Sequence, residues 1–286
     1  MTYAPLVIAK EEGFFAAEGI DAELVSIDTS SALLALHNGE LDVFSGAMRA
    51  GMFNMMLKGL PLRVVADKGH AAGHPCSSEA LVAPVKIAES IRAAGGSLQG
   101  QRVAVARGGL SEFLLDQLLE QRKTKRDEIQ FIDLPQGANA SFRQKIDAVR
   151  HLADPHLTEA IRENLVQIIA TGEDLSPGHQ TAVVVYGKRM LHDDPELGRR
   201  FMRAYLRGVR RYNDGKTPRN IEILSRATKL APEIVQRSCW HAMASDGRIQ
   251  PEAAQRILDW SLRRGYLDGD IQLEQWWDPR FIEAAR

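Results

Sequence analysis

Two kinds of residue in this chain have types and spacings suited to chemistry. His70, His74 and Cys76 form an H-x3-H-x-C group, and imidazole and thiolate are good ligands for zinc or copper. The glycines and Pro75 around them suit a lid loop better than a metal centre, and no fourth ligand is evident. His70 and His156 have side chains that work as acid or base near neutral pH. The other kind points to binding without bond making: Ser45-Gly46-Ala47, Gly69-His70, Gly108-Gly109-Leu110-Ser111, Gln136-Gly137 and Asp154-Pro155-His156 each lie where an apolar run ends. Where such a corner opens a helix, free backbone N–H groups and the positive end of the helix dipole offer a seat for a small anion. Arg107, beside Gly108, is spaced to pair with a carboxylate or sulfonate. Ser45 reads equally well as an ordinary helix cap, and Arg107 as a surface residue. There is no G-x-S-x-G elbow, Walker loop, H-E-x-x-H pair or G-x-G-x-x-G after a strand.

Those corners need strands and helices to hold them. The stretch 36–69 reads as turn, strand (41–45), helix (47–58), turn and strand (62–66), with Ser45-Gly46 opening the helix and Gly59 and Pro61 closing it. Upstream, 5–12 reads as a helix with proline in its first turn, 20–27 alternates as a strand does, and Asp28-Thr29-Ser30 caps a helix to about residue 37. A parallel α/β unit normally begins with a strand, so this order predicts one in front of Tyr3. Downstream, strands are expected at 80–85, 102–106, 129–134, 146–152, 166–170 and 182–186, with helices at 87–94, 111–120, 141–145 and 157–164. Beyond 186 everything reads as helical, in segments 193–212, 218–229, 232–244 and 251–264. Trp276 and Trp277 read as packing anchors.

A chain of 286 residues, 44% hydrophobic and 26% charged, has room for two domains. Its 36 basic against 37 acidic residues argue against a nucleic-acid or polybasic membrane surface as main partner. No run approaches the roughly 18 apolar residues of a membrane span. Cys76 and Cys239 are far apart and fit neither a disulfide framework nor a CxxC site. The opening MTYAPLVIAK has no basic region followed by an apolar core and a cleavage site, so the sequence as given carries no export signal.

Four blocks, 4–24 (APLVIAKEEGFFAAEGIDAEL), 34–47 (LALHNGELDVFSGA), 145–161 (KIDAVRHLADPHLTEAI) and 199–215 (RRFMRAYLRGVRRYNDG), together resemble the solute-binding proteins of ABC importers of the nitrate, sulfonate, taurine and thiamine-precursor type. The resemblance implies an α/β periplasmic-binding-protein fold of type II. Each of its two lobes would hold a mixed, mostly parallel sheet flanked by helices, with a helical C-terminal region. It implies lobe I from 1–83 plus 182–286 and lobe II from 84–181, with ligand held between them and closure driven by contacts made only in the closed state. Carried over, the ligand-binding residues are Tyr3, Ser45, Gly46, Ala47, Gly69 and His70, then Arg107, Gly108, Gly109, Leu110, Ser111, Gln136, Gly137, Asp154, Pro155 and His156. The expected ligand is a small, anionic organic solute (sulfonate, nitrate, carboxylate or pyrimidine-like), with no catalysis, no cofactor and no metal. The expected partner is an ABC permease, with no nucleic acid and a monomeric receptor. The location implied is periplasmic or membrane-anchored extracytoplasmic, if residues precede Met1. Gln144-Lys145 departs from the glycine the family commonly has before Ile-Asp-Ala. Alternatives are an enzyme on the same fold, of decarboxylase or pyrimidine-precursor type, and a sensory ligand-binding domain.

Overall fold

Pro5, in a first turn where its missing N–H is no loss, starts helix α1 (Ala4–Glu11), and Gly13 at φ 72° leads into α2 (Phe14–Ala17). This is a computed structural model, and it describes residues 1–71, 73, 76–132 and 147–285. Residues 20–27, expected as a strand, form none: no described strand pairs with them, and Leu24, Val25 and Ile27 are exposed. An alternating pattern makes a strand only where a neighbour takes up its backbone groups. Asp28 then accepts from the N–H groups of Ser30 and Ser31 at 3.1 Å, capping α3 (Thr29–Asn38), and Gly39 at φ 78° ends it.

The next unit is β1 (Val43–Ala47), α4 (Ala50–Leu57) and β2 (Arg63–Asp67). Ser45, Gly46 and Ala47 therefore lie inside the strand, not at the first turn of a helix, because the strand continues and the helix begins only at Ala50. There follow β3 (Glu79–Pro84), α5 (Val85–Ala93), β4 (Arg102–Ala104), α6 (Leu110–Gln121), β5 (Gln130–Phe131), β6 (Val149–Ala153), α7 (His156–Arg162), β7 (Val166–Thr171), α8 (Gly172–Leu175) and β8 (Ala182–Tyr186). The expected helix at 141–145 lies outside the described residues. The remaining chain is helical: α9 (Pro195–Asn213), α10 (Pro218–Thr228), α11 (Pro232–Arg237), α12 (Pro251–Arg263), α13 (Leu273–Trp276) and α14 (Arg280–Glu283). Asp194 caps α9 through the N–H of Leu197 at 2.9 Å, and Thr217 caps α10 through that of Asn220. Helix α11 stops seven residues short of the expected 244, because the backbone beyond it is committed elsewhere: Cys239 N–H donates to Asp154 Oδ2 and the Ala242 carbonyl accepts from His70 N–H.

The chain folds as two compact units, one of residues 2–70, 180–236 and 242–286, the other of Met1, 71–179 and 237–241. In the first, β8 lies antiparallel between β1 and β2, so that β1 and β2 run the same way. Its core packs Met48, Met52, Phe53, Leu62, Val185 and Trp276, with Trp276 edge-on to Phe53 at 5.5 Å. Helix α9 closes on α1 at Gly208, where a Cβ would sit 2.3 Å from the Pro5 carbonyl oxygen. In the second unit five strands run in the order β5-β4-β6-β3-β7. Strand β4 is parallel to β5 and β6, and β3 is antiparallel to β6 and β7. Strand β3, assigned by the resemblance mostly to lobe I, thus hydrogen-bonds entirely within this second sheet.

Candidate functional site

In the three-stranded unit, β1 and β2 end side by side across β8, at residues 45–47 and 67–70. Gly46 has no room for a side chain, since a Cβ there would lie 2.3 Å from the ring of Phe44. The Ser45 hydroxyl is buried and has no hydrogen-bond partner among the described residues. Its carbonyl accepts from the Lys68 ammonium at 2.7 Å. Lys68 is only 5% exposed, and burial pushes its pKa down to about 7. Asp67, the adjoining acid, is fully committed. Its Oδ1 accepts from Gly69 N–H and Gln180 Nε2, its Oδ2 from Ala244 N–H, with His70 Nδ1 at 3.3 Å. Gly69, at φ 130°, makes the turn that brings its N–H back to Asp67. Tyr3 of the same unit stands half-exposed just before α1.

The five-stranded unit holds the other predicted corners, and most of their polar groups face inward. At the start of α6 the Glu112 carboxylate, fully buried, accepts from Gly108 N–H at 2.6 Å, from Arg107 at 3.1 Å and from Arg126. The helix N-terminus is thereby furnished with its own anion. Arg107 also lies over the ring of Phe131 at 4.0 Å, so its charge is shared between an internal acid and an aromatic face. Ser111 turns its hydroxyl back to Ala106, accepting from that residue's N–H at 3.0 Å. Asp154, followed by the cis bond to Pro155, accepts from Thr158 and Cys239 N–H groups, while its carbonyl accepts from the Met1 ammonium at 2.7 Å. Burial raises its pKa despite those donors. His156 sits 3.5 Å from Glu159. Gln136 and Gly137 lie outside the described residues.

The cysteines, read from spacing as unrelated, form a disulfide across 163 residues, Cys76 to Cys239. Sequence distance is no guide to spatial distance once the chain returns to a unit it has left, as residues 237–241 do. Cys76 therefore has no thiolate to complete a group with His70 and His74, of which His74 lies outside the described residues. Among the described residues no group of three or more His, Cys, Asp or Glu is arranged to hold a metal ion.

The five-stranded unit also holds a buried titratable cluster that no motif announced. Glu79, at the start of β3, takes His179 Nε2 on one oxygen at 2.7 Å and His151 Nε2 on the other at 2.8 Å, with His241 3.8 Å away. His179 also approaches the Ser176 carbonyl through Nδ1 at 2.7 Å. Both partners only accept, so both ring nitrogens must donate and the ring is an imidazolium. Burial would lower its pKa, but the Glu79 carboxylate prevails and raises it. Burial would likewise raise Glu79, yet the His179 charge and the two histidine hydrogen bonds hold it well below the ordinary carboxylate range. His241 is pushed down to about 3, first by burial and then by the Met1 ammonium.

A family model described as NMT1/THI5 like matches residues 1–214. The chain belongs to the NMT1/THI5-like family. No curated protein sequence matches it. Among solved structures, a zinc-bound ligand-binding component of an ABC-type import system from Staphylococcus aureus aligns with a TM-score of 0.81 at 17% identity, covering 100% of this chain and 95% of its own. The alkanesulfonate-binding protein SsuA of Xanthomonas axonopodis pv. citri, bound to MOPS, gives 0.76 at 18% identity, with 96% and 94% covered. The desulfurization enzyme DSZB gives 0.68 at 13% identity, with 98% and 95% covered. The NMT1/THI5-like chain thus has the α/β fold of periplasmic binding proteins, with mixed sheets flanked by helices and a helical C-terminal region.

Two buried polar groups of this NMT1/THI5-like chain are not evident from its sequence pattern. Lys68 had one signal: a charged pair, Asp67-Lys68, directly after an apolar strand run. The Glu79, His151, His179 and His241 cluster had none, since its members are spread over four segments that meet only in the fold.

Proposed function

We propose that the chain is the solute-binding receptor of an ABC-type importer and takes a small organic solute without altering it. The match to the NMT1/THI5-like family across residues 1–214 carries this reading. The likeness to an import-system component and to an alkanesulfonate-binding protein supports it. On the three-stranded unit the solute would meet Ser45, Gly46, Ala47, Gly69 and His70. An ABC permease is the partner, and the location is extracytoplasmic. The Cys76–Cys239 disulfide suits an oxidising compartment, and no described helix is long and apolar enough to cross a membrane. The solute classes consistent with this reading are sulfonate, nitrate, carboxylate and pyrimidine.

A thermal-shift panel over those four classes, followed by mass spectrometry of the mixture, tests the proposal. A solute that raises the melting temperature and is recovered unchanged supports it. Conversion of that solute would replace the receptor with the enzyme reading, which the shared fold of DSZB keeps in view.

A further inference from the structure

A buried ammonium is costly unless something answers its charge. Lys68 is buried, yet among the described residues its ammonium has one acceptor, the neutral carbonyl of Ser45 at 2.7 Å. Of its three N–H bonds, two therefore have no acceptor among the described residues. The carboxylate of Asp67, next in the chain, is bonded to Gly69, Gln180 and Ala244, with His70 alongside, and not to the ammonium. The hydroxyl of Ser45, on the same residue whose carbonyl Lys68 touches, is also buried and has no partner among the described residues. Two donor groups, the Lys68 ammonium and the hydroxyl of the residue whose carbonyl it touches, thus have unused hydrogen-bonding capacity among the described residues, near the carboxyl ends of two strands that run the same way, the place where open α/β sheets take ligands.

We infer that Lys68 and the Ser45 hydroxyl form the seat for the oxyanion head group, carboxylate or sulfonate, of the bound solute. This rests on the receptor reading and narrows its solute classes to organic acids. The ammonium supplies charge and two directed donors, and the hydroxyl supplies a third, to an acceptor with several lone pairs. Burial lowers the proton affinity of Lys68 to the neutral range in the absence of ligand, so the site is held at low cost when empty and strengthened by an arriving anion. A lysine kept for packing alone would have its ammonium at the surface, with only its stem buried.

The experiment uses the full chain, calorimetry and two probe sets: butanesulfonate, taurine, pentanoate and benzoate as anions, with thymine and cytosine as neutral compounds. Lys68→Met keeps the stem and removes the charge; it is expected to weaken the tightest anionic probe by about 100-fold or more, Ser45→Ala by about 5- to 10-fold, and Lys68→Arg by less than Lys68→Met. Sulfonate and carboxylate arms separate the two head groups. Without ligand, Lys68→Met is expected to melt at or above the wild-type temperature, because an unanswered buried charge has been removed. The inference is overturned if Lys68→Met binds the anions as wild type does, if only the neutral probes bind, if no anionic probe binds at millimolar concentration, or if ligand-free Lys68→Met is strongly destabilised. Preference for neutral probes would leave the receptor reading standing. Chemical conversion of a bound anion would remove the receptor reading and leave the seat.

Discussion

His241 shows at the scale of one residue how burial becomes pH dependence. Its folded pKa of about 3 lies below the ordinary 6.5, so it stays neutral in the fold while the unfolded chain takes up a proton. Stability from this group is complete above about pH 6.5 and is lost as pH falls toward 3, with a slope of at most about 1.4 kcal/mol per pH unit. Glu79 acts on the same limb but lower: its depressed pKa gives stability above the ordinary carboxylate value that disappears only at more acid pH. His179 has the opposite sign, its raised pKa giving stability that is full below 6.5 and fades as pH rises through the folded value. Urea unfolding measured at steps from neutral to about pH 4 should therefore show a falling acid limb. The variant His241→Gln should flatten it. Equal slopes in variant and wild type would show that another group carries the acid limb.

Helix α6 makes the corresponding point for an element. Its first turn binds the buried Glu112, which in turn holds Arg107, Arg126 and the Gly108 N–H. Glu112→Ala removes the acid and leaves two guanidinium groups and an amide facing the vacancy, so a loss of about 3 kcal/mol is expected from urea unfolding. A change under about 1 kcal/mol would mean that solvent already screens the group, as it does for surface pairs. The contact of α1 with α9 depends instead on an absence. Gly208→Ala would press a methyl against the Pro5 carbonyl and should cost about 1–3 kcal/mol or more; a melting curve unchanged from wild type would show that the helices can move apart freely. Elements with local signals were legible in the sequence: strand β8 falls at 182–186 as expected, and the caps at Asp28 and Asp194 stand where a capping residue precedes an apolar period. What failed was non-local. Residues 20–27 have the alternation of a strand but no described partner, and α11 is cut short by bonds to Asp154 and His70, far away in sequence. Of the candidate site, the sequence shows that apolar runs end near 45–47 and 69–70, but not that β1 continues through Ala47, nor which donors stay free, because that depends on tertiary contacts such as Glu112 at Gly108.

At the scale of the whole molecule, the five-stranded unit is assembled from separate stretches of chain, and its short stretch 237–241 follows a long passage of the other unit. Five residues cannot hold themselves in place by apolar burial alone. Among the contacts that secure them, Cys239 N–H donates to Asp154 Oδ2 at 2.6 Å, and the Cys239 sulfur is bonded to Cys76. The bond closes a loop of 163 residues, so in the chain-entropy account it removes much freedom from the unfolded state, typically about 2–5 kcal/mol in favour of the fold. Thiol titration of the denatured protein should therefore find no free thiol before reduction and two after it. Reduction with dithiothreitol should lower the melting temperature by about 5–15 °C. The double variant Cys76→Ser, Cys239→Ser should melt where the reduced wild type does, and should gain nothing from oxidation. It should also lose part of the depression at His241, because that ring sits in the same short stretch, buried against Glu79 by the segment the bond holds down. An acid limb of the same steepness in the double variant, measured by the urea series used for His241→Gln, would show that the segment stays in place without the bond.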